Sequence, residues 1–366
     1  MEGGFVEITK EFIELGSYSI AFLIVLGFLG GLTSGFIGSG GAFVLTPGMM
    51  SLGAPATVAV ASNMCHKFPK AMVGAYKRNK YGQVDVKLGI ILGLSAIAGV
   101  QIGIQIQKVI LNAWGEAGSN LYVSLAFVSI LTIVGIYMLR DSRRAGKAET
   151  GEEASGLAKK VRSIKLPPMI SLKNGGAISL WMTIPIGLAT GLLAATIAVG
   201  GFVGVPGMIY ILGVTPLFAT GTELVIAFLM GMAGTITWAI GGFVDIRMTL
   251  LILAGSLFGV QIGAIGTTYV KDNAVKLVMA SVMLIVAVSR GIAIPNYLHD
   301  LNVITIGEST TSLLTLTSFI IMCIALATGG AIILGSMWFG KRTLAKLSLE
   351  ESRAESLRLA TEQLAD

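Results

Sequence analysis

Charge is scarce in this chain: 13% of its residues are Asp, Glu, Lys or Arg, against about 25% in an average soluble protein. With 54% hydrophobic residues and a mean hydropathy of +0.82, water alone would not keep it folded. Histidine is limited to His66 and His299, far apart, so no histidine cluster for a metal and no nucleophile with a neighbouring base is in sight. An enzyme is therefore not expected, and neither is a cofactor. Cys65 and Cys323 lie in apolar segments without metal-ligand spacing and read as inert buried thiols. Carboxylates are nearly missing from the apolar runs, which argues against a cation carrier. A basic start is also lacking: Glu2, Glu7, Lys10, Glu11 and Glu14 precede the first apolar run, so that run reads as a retained span rather than a signal peptide.

What is present is a series of apolar stretches of about 20 residues, each long enough as a helix to cross a hydrocarbon layer of about 30 Å. In lipid the backbone must pair within its own segment, so the fold class is all-α and polytopic. The candidate spans are 18–37, 56–76, 86–106, 121–139, 178–199, 217–240, 248–268, 274–288 and 312–337. They group into a first transmembrane repeat over 18–139, a charged linker over 140–176, a second repeat over 177–290, an additional span over 312–337 and a soluble tail over 338–366. Nine Lys or Arg and four Asp or Glu between 140 and 173 make the linker look soluble and flexible. The net charge of +6 sits mostly in such loops and tails. It points to orientation and contact with the lipid bilayer rather than to nucleic acid.

Shifting the sequence by 160 residues lays Gly99-Val100-Gln101-Ile102-Gly103 on Gly259-Val260-Gln261-Ile262-Gly263. The same shift pairs Gly82, Val84, Asp85 and Lys87 with Gly242, Val244, Asp245 and Arg247, and Gly27, Gly31, Gly40 and Gly41 with Gly187, Gly191, Gly200 and Gly201. Pro47-Gly48-Met49 matches Pro206-Gly207-Met208 after a one-residue slip. Duplicated halves are common in transporters, whose substrates bind where the halves meet.

Each half carries a helix-breaking interruption: Gly38-Ser39-Gly40-Gly41 before Pro47-Gly48, and Gly200-Gly201 before Pro206-Gly207. Freed N–H groups at such breaks attract anions; glycines of this kind also serve close helix packing. Asn63, His66, Lys67 and Lys70 share one helical face inside the second span, with Pro69 beside them. Lys67 lies about 18 Å past Pro55 along a regular helix, where insertion costs about 2.5 to 3.5 kcal/mol. Either an anion or a carboxylate offsets that cost, or the two lysines snorkel to the headgroups. At the equivalent position of the second half stand Thr222 and Glu223, the latter available to balance Lys67, to accept a proton or to anchor a helix. Gln101 and Gln261 offer neutral donors, to a ligand or to a neighbouring helix.

The double-Gly and Pro-Gly breaks, Ser62-Asn63 with Thr222-Glu223, Tyr76-Lys77-Arg78 and the two Gly-x-Val-Asp turns resemble the sulfite exporter TauE/SafE family over about 27–290. The likeness implies a duplicated permease for sulfite, sulfonates or other small organic anions. Asn63-Met64-Cys65-His66-Lys67 departs from the Thr-Ser-Leu-like run of many relatives, as does the long linker. The expected site is Ser39, Gly40, Gly41, Asn63, His66, Lys67, Gln101, Gly200, Gly201, Thr222, Glu223 and Gln261, around a small anionic substrate of the sulfite or sulfonate class. The rival is a non-transporting membrane subunit or sensor whose linker and tail bind a cytoplasmic partner. Nine crossings with a cytoplasmic linker would put Lys341-Arg342 outside, against the basic-inside bias. Either a span is miscounted, a Gly-Pro break is a re-entrant pair, or the ninth segment does not cross.

Overall fold

A computed structural model describes residues 13–38, 41–145, 156–173, 175–198, 200–270 and 272–363. Helix follows helix: α1 (Ser17–Ile37), α2 (Ala42–Ser51), α3 (Ala56–Lys80), α4 (Val86–Ala145), α5 (Gly156–Ser163), α6 (Leu180–Ile197), α7 (Gly201–Pro206), α8 (Pro216–Ile240), α9 (Ile246–Gly266), α10 (Asp272–Asp300) and α11 (Glu308–Gln363). Among the described residues seven helices are long and apolar enough to cross a membrane. The polar residues of α3 keep it out of that group although it has 25 residues.

Although helical almost throughout, α4 is not one rod. Its backbone breaks at Gly115 (φ 65°, ψ −164°), and Gln107 Nε2 donates to Ser119 Oγ at 2.6 Å. Twelve residues of continuous helix would hold those groups about 18 Å apart, so α4 is a hairpin whose arms hold the expected spans 86–106 and 121–139.

The two Gly-Pro breaks turn the chain back on itself. A side chain at Gly41 would strike the Gly30 carbonyl and one at Gly48 would strike Leu26, so α2 retraces α1. Likewise Gly200 sits on the Thr190 carbonyl and Gly207 on Ile186, so α7, continued by a π-helical turn over Gly207–Ile211, retraces α6. Each break is thus the corner of a re-entrant pair. Helix α3 then runs parallel to α1, because Arg78 near its end reaches the Gly35 and Phe36 carbonyls at the end of α1, both at 3.2 Å.

With the pairs re-entrant, the charge conflict disappears. The linker docks where α3 ends, the Lys173 N–H donating to Asp85 Oδ2 at 2.8 Å. The last turn of α9 meets α11 on that same face, where Gly340 packs on the Tyr269 carbonyl. Lys77, Lys80, the linker, Lys341 and Arg342 therefore share one face. Ile13 lies on the other, where its carbonyl accepts from Arg247 Nη2 at 3.3 Å.

Contacts between the halves recur at the 160-residue spacing. Gly27 and Gly31 of α1 press on the Ile252 and Ser256 backbone of α9, while Gly187 and Gly191 of α6 press on Leu92 and Ala96 of α4. The Asp85 N–H donates to Thr222 Oγ1 at 3.0 Å, and the Asp245 N–H donates to Ser62 Oγ at 2.9 Å. Each re-entrant pair is clasped by the other half, and α3 packs against α8 at the centre.

The described part of the linker is structured: Arg162 binds the Leu212 and Gly213 carbonyls at 3.1 and 2.9 Å, and strands β1 (Met169–Ser171) and β2 (Ala177–Ser179) form a hairpin. Its cations cap carbonyls left bare by loops of the membrane body. The last helix is one piece from 308 to 363, so the expected tail follows the span as continuous helix. Finally, α10 runs on to Asp300, past the expected 288.

Two outcomes follow. Single cysteines placed at 160 and 342 in a chain lacking Cys65 and Cys323 should react with an impermeant maleimide from the same side, and one at 16 from the opposite side. Gly31→Leu and Gly191→Leu, each forced into backbone, should cost about 1–3 kcal/mol or more, read as a lower melting temperature in detergent. Gly335→Leu, with open space around it, should not.

Candidate functional site

The polar face of α3 is buried in full: Ser62, Asn63, His66, Lys67, Lys70 and Arg78 have no exposure. Both lysines stay inside rather than snorkelling. Three- and four-residue spacing aligns them because α3 is regular through Pro69.

Asn63 ties this face to the start of α2, its Nδ2 donating to the Ala42 carbonyl at 3.1 Å and to Thr46 Oγ1 at 2.8 Å. His66 Nδ1 faces two acceptors of Asn63, the carbonyl at 3.2 Å and Oδ1 at 3.1 Å. Two acceptors assign the proton to Nδ1, leaving Nε2 an acceptor. That Nε2 is buried without a protein partner. Lys67 Nζ donates to the Ala198 carbonyl at 3.1 Å, closing the end of α6 where Ala198 turns left-handed (φ 61°). A cation suits that carbonyl end, where the helix dipole is negative. Lys70 Nζ, one turn on, is buried and has no hydrogen-bond partner among the described residues.

From the second half come Thr220, Thr222 and Glu223 of α8, all fully buried. Glu223 lies close enough to attract Lys67, and its Oε2 lies where a side chain at Gly204 of α7 would stand. Gly38 (φ 90°), closing α1, rests on the Thr220 carbonyl and the Glu223 side chain. Thus the broken end of each half is received by the third helix of the other. Asp85 and Asp245 do not neutralise this centre. Asp85 accepts from the Leu88 and Lys173 N–H groups, and Asp245 from Arg247 and the first turn of α9. Positive charge is in excess.

The structure gathers Gly41, Asn63, His66, Lys67, Gly200, Gly201 and Glu223 around the breaks, whereas the Thr222 hydroxyl is taken by the Asp85 N–H at the start of α4. Ser39 and Gly40 lie outside the described residues. Gln101 and Gln261 do not belong to the site. Gln101 Oε1 accepts from Thr237 at 3.1 Å, and Gln261 is exposed and bonds the Leu257 carbonyl of its own helix at 3.0 Å. Their shared Gly-Val-Gln-Ile-Gly segment reflects helix packing, since Gly99 and Gly259 press on the Leu188 and Phe28 carbonyls. Sequence reasoning misses Arg78, which reads there as a loop charge. It donates to Gly35, Phe36 and Leu217 carbonyls and to Thr220 Oγ1. A signal for it exists: Lys67, Lys70, Gly74 and Arg78 continue one helical stripe beyond the apolar stretch.

These features define a multi-pass helical membrane protein built around a buried polar centre. Residues 23–290 match the family described as Sulfite exporter TauE/SafE, and the chain belongs to that family, one of membrane transporters rather than enzymes. The probable membrane transporter protein YdhB of Bacillus subtilis (strain 168) is 25% identical over 246 residues, 66% of this chain and 88% of that protein. YunE and YjnA of the same organism, also described as probable membrane transporter proteins, are 23% and 26% identical, covering 73% and 72% of this chain and 96% of each relative. No solved structure matches the chain significantly.

Arg78→Lys should lower the unfolding midpoint in detergent, because an ammonium cannot hold four acceptors in the guanidinium geometry. At about 1.5–3 kcal/mol per charged hydrogen bond, the loss should far exceed that of Lys77→Ala.

Proposed function

We propose that the protein is a permease for a small sulfur-containing oxyanion, such as sulfite or an organosulfonate, bound between the two re-entrant breaks. The observation that carries this reading is Lys70: a fully buried basic side chain beside Lys67, with Glu223 set against Lys67 and no group among the described residues bonded to Lys70 Nζ. An intramembrane charge of this kind calls for a partner, and an anion supplies it. Backbone N–H groups at the starts of α2 and α7 add donors, and His66 Nε2 offers an acceptor for the hydroxyl of a protonated oxyanion. The family's description supports sulfite as the first substrate to try.

The recurring contacts and the odd number of crossings in each half support a reading of 18–139 and 177–290 as inverted repeats. Alternating access then consists of the two re-entrant pairs rocking against α3 and α8. Glu223 and His66 are the groups through which protons would couple to the movement. The face carrying Lys77, Lys80, the linker and Lys341 is the cytoplasmic one by the basic-inside rule.

The test is flux into proteoliposomes of purified protein, comparing sulfite, sulfate, thiosulfate and a small sulfonate with and without a pH gradient. Saturable flux of one of them is expected. Lys70→Met, which removes no hydrogen bond between protein groups, should weaken it by about ten- to a hundred-fold, the equivalent of about 1.5–3 kcal/mol. Flux of none from folded protein would reject the reading and favour a partner-binding membrane subunit.

A further inference from the structure

A second buried cation lies away from the centre. Arg290 of α10 is 2% exposed and lines a cavity of about 200 Å³ between the end of α2, α10 and α11. Room for several waters, at roughly 30 Å³ each, is ample for a small polyatomic anion.

The partners of Arg290 contrast with those of Arg78. Its Nη2 donates to Ser318 Oγ at 2.9 Å and to Ser51 Oγ at 3.3 Å, both neutral hydroxyls, and its Nε is buried with no hydrogen-bond partner among the described residues. The phenol of Tyr297 lines the same cavity and interacts with it. Asn296 gives its Nδ2 to the Thr311 carbonyl and to Thr315, fixing α11 to α10. Asp300 is the carboxylate on the lining. It is exposed and ten residues further along α10, about 15 Å by helical rise, so it marks the mouth rather than the counter-ion. A guanidinium is a planar fork that takes two oxygens of an oxyanion at once.

We infer that the Arg290 cavity is a second oxyanion-binding site, open on the face opposite the basic linker. The other end of α2 stands at the central site, where Asn63 holds the Ala42 carbonyl, and Ser51 at this end touches Arg290. One ten-residue helix, about 15 Å long, joins the two. The family match ends at residue 290, so α11, which supplies Ser318, lies outside it. The additional helix therefore has a role of its own, since it completes the site. The occupant is either the free anion or the phosphate of a lipid headgroup, the same chemistry from two sources.

Sulfite and methanesulfonate binding to the purified full chain, in detergent with and without added phosphatidylglycerol, tests this. Expected are two equivalents for the natural chain, one for Arg290→Gln, one for Lys70→Met and none for the double variant. Loss of the second equivalent on adding phosphatidylglycerol, with lipid retained by the natural chain but not by Arg290→Gln in native mass spectrometry, would assign the site to a headgroup. Equal anion binding and equal lipid retention in the natural chain and Arg290→Gln would overturn it. If only the central reading fails, one equivalent remains and Arg290→Gln alone removes it. Ala293→Leu, which fills the cavity without touching the bonds of Arg290, should weaken the second equivalent at least ten-fold. It keeps the inference testable if the glutamine variant does not fold.

Discussion

A helix broken inside a bilayer leaves N–H and C=O groups with no water to satisfy them, and the centre of this protein is organised by how those ends are met. Ser34 Oγ donates to the Gly38 carbonyl at 2.5 Å, Arg78 takes the carbonyls of Gly35 and Phe36, Asn63 takes that of Ala42, and Lys67 takes that of Ala198. The polar residues of α3 are therefore first of all caps, for the first break through Arg78 and for the second through Lys67, while Asn63 ties the start of α2 to the same face. Lys67 commits its ammonium to a carbonyl and Lys70 does not, and that difference separates the part of the polar face that holds the fold from the part free to hold a ligand.

The scaffold and the chemistry follow different symmetries. Glycines, capping hydroxyls and helix contacts repeat at 160 residues, so Gly31 on Ser256 has its counterpart in Gly191 on Ala96. The charges of α3 do not repeat. At the same spacing His66, Lys67, Lys70 and Arg78 correspond to Ile226, Ala227, Met230 and Trp238, all buried and, Trp238 apart, without a polar group. On the reading proposed above, a matched scaffold supplies the two arrangements of similar energy that rocking needs, and a single cationic half spares the empty protein the cost of burying a second set of like charges.

Much of this is legible from residues alone because it rests on periodicity. Apolar length marks the spans, and the three- and four-residue spacing of Asn63, His66, Lys67 and Lys70 marks the face. What cannot be read is direction. Gly-Gly followed by Pro-Gly marks a break but does not say whether the chain continues or returns. That is decided by Gly41 and Gly200 lying flat on carbonyls of the preceding helix, a contact between positions on opposite sides of the break. Gln101 and Gln261 mislead because identity in a repeat registers any shared constraint, and here the constraint is backbone approach at the flanking glycines. Arg78 is hard to place because it follows Tyr76 and Lys77 at the apparent end of a span, where cations normally meet headgroups.

The direction of the breaks also determines what the last helix can do. With both pairs re-entrant, α10 ends on the face opposite the linker, and α11 crosses back beside α2 and α10. Its Ser318 carbonyl accepts from Ser289 Oγ at 2.7 Å while its hydroxyl takes Arg290. Burying an arginine among hydroxyls, with no carboxylate beside it, is expensive unless something else shares its donors. Stability alone would have been served by an apolar residue at 290, as the fully buried Val286 and Met283 on the same helix show. The cost is therefore best understood as that of a site, and the extra helix as one of the walls that complete it.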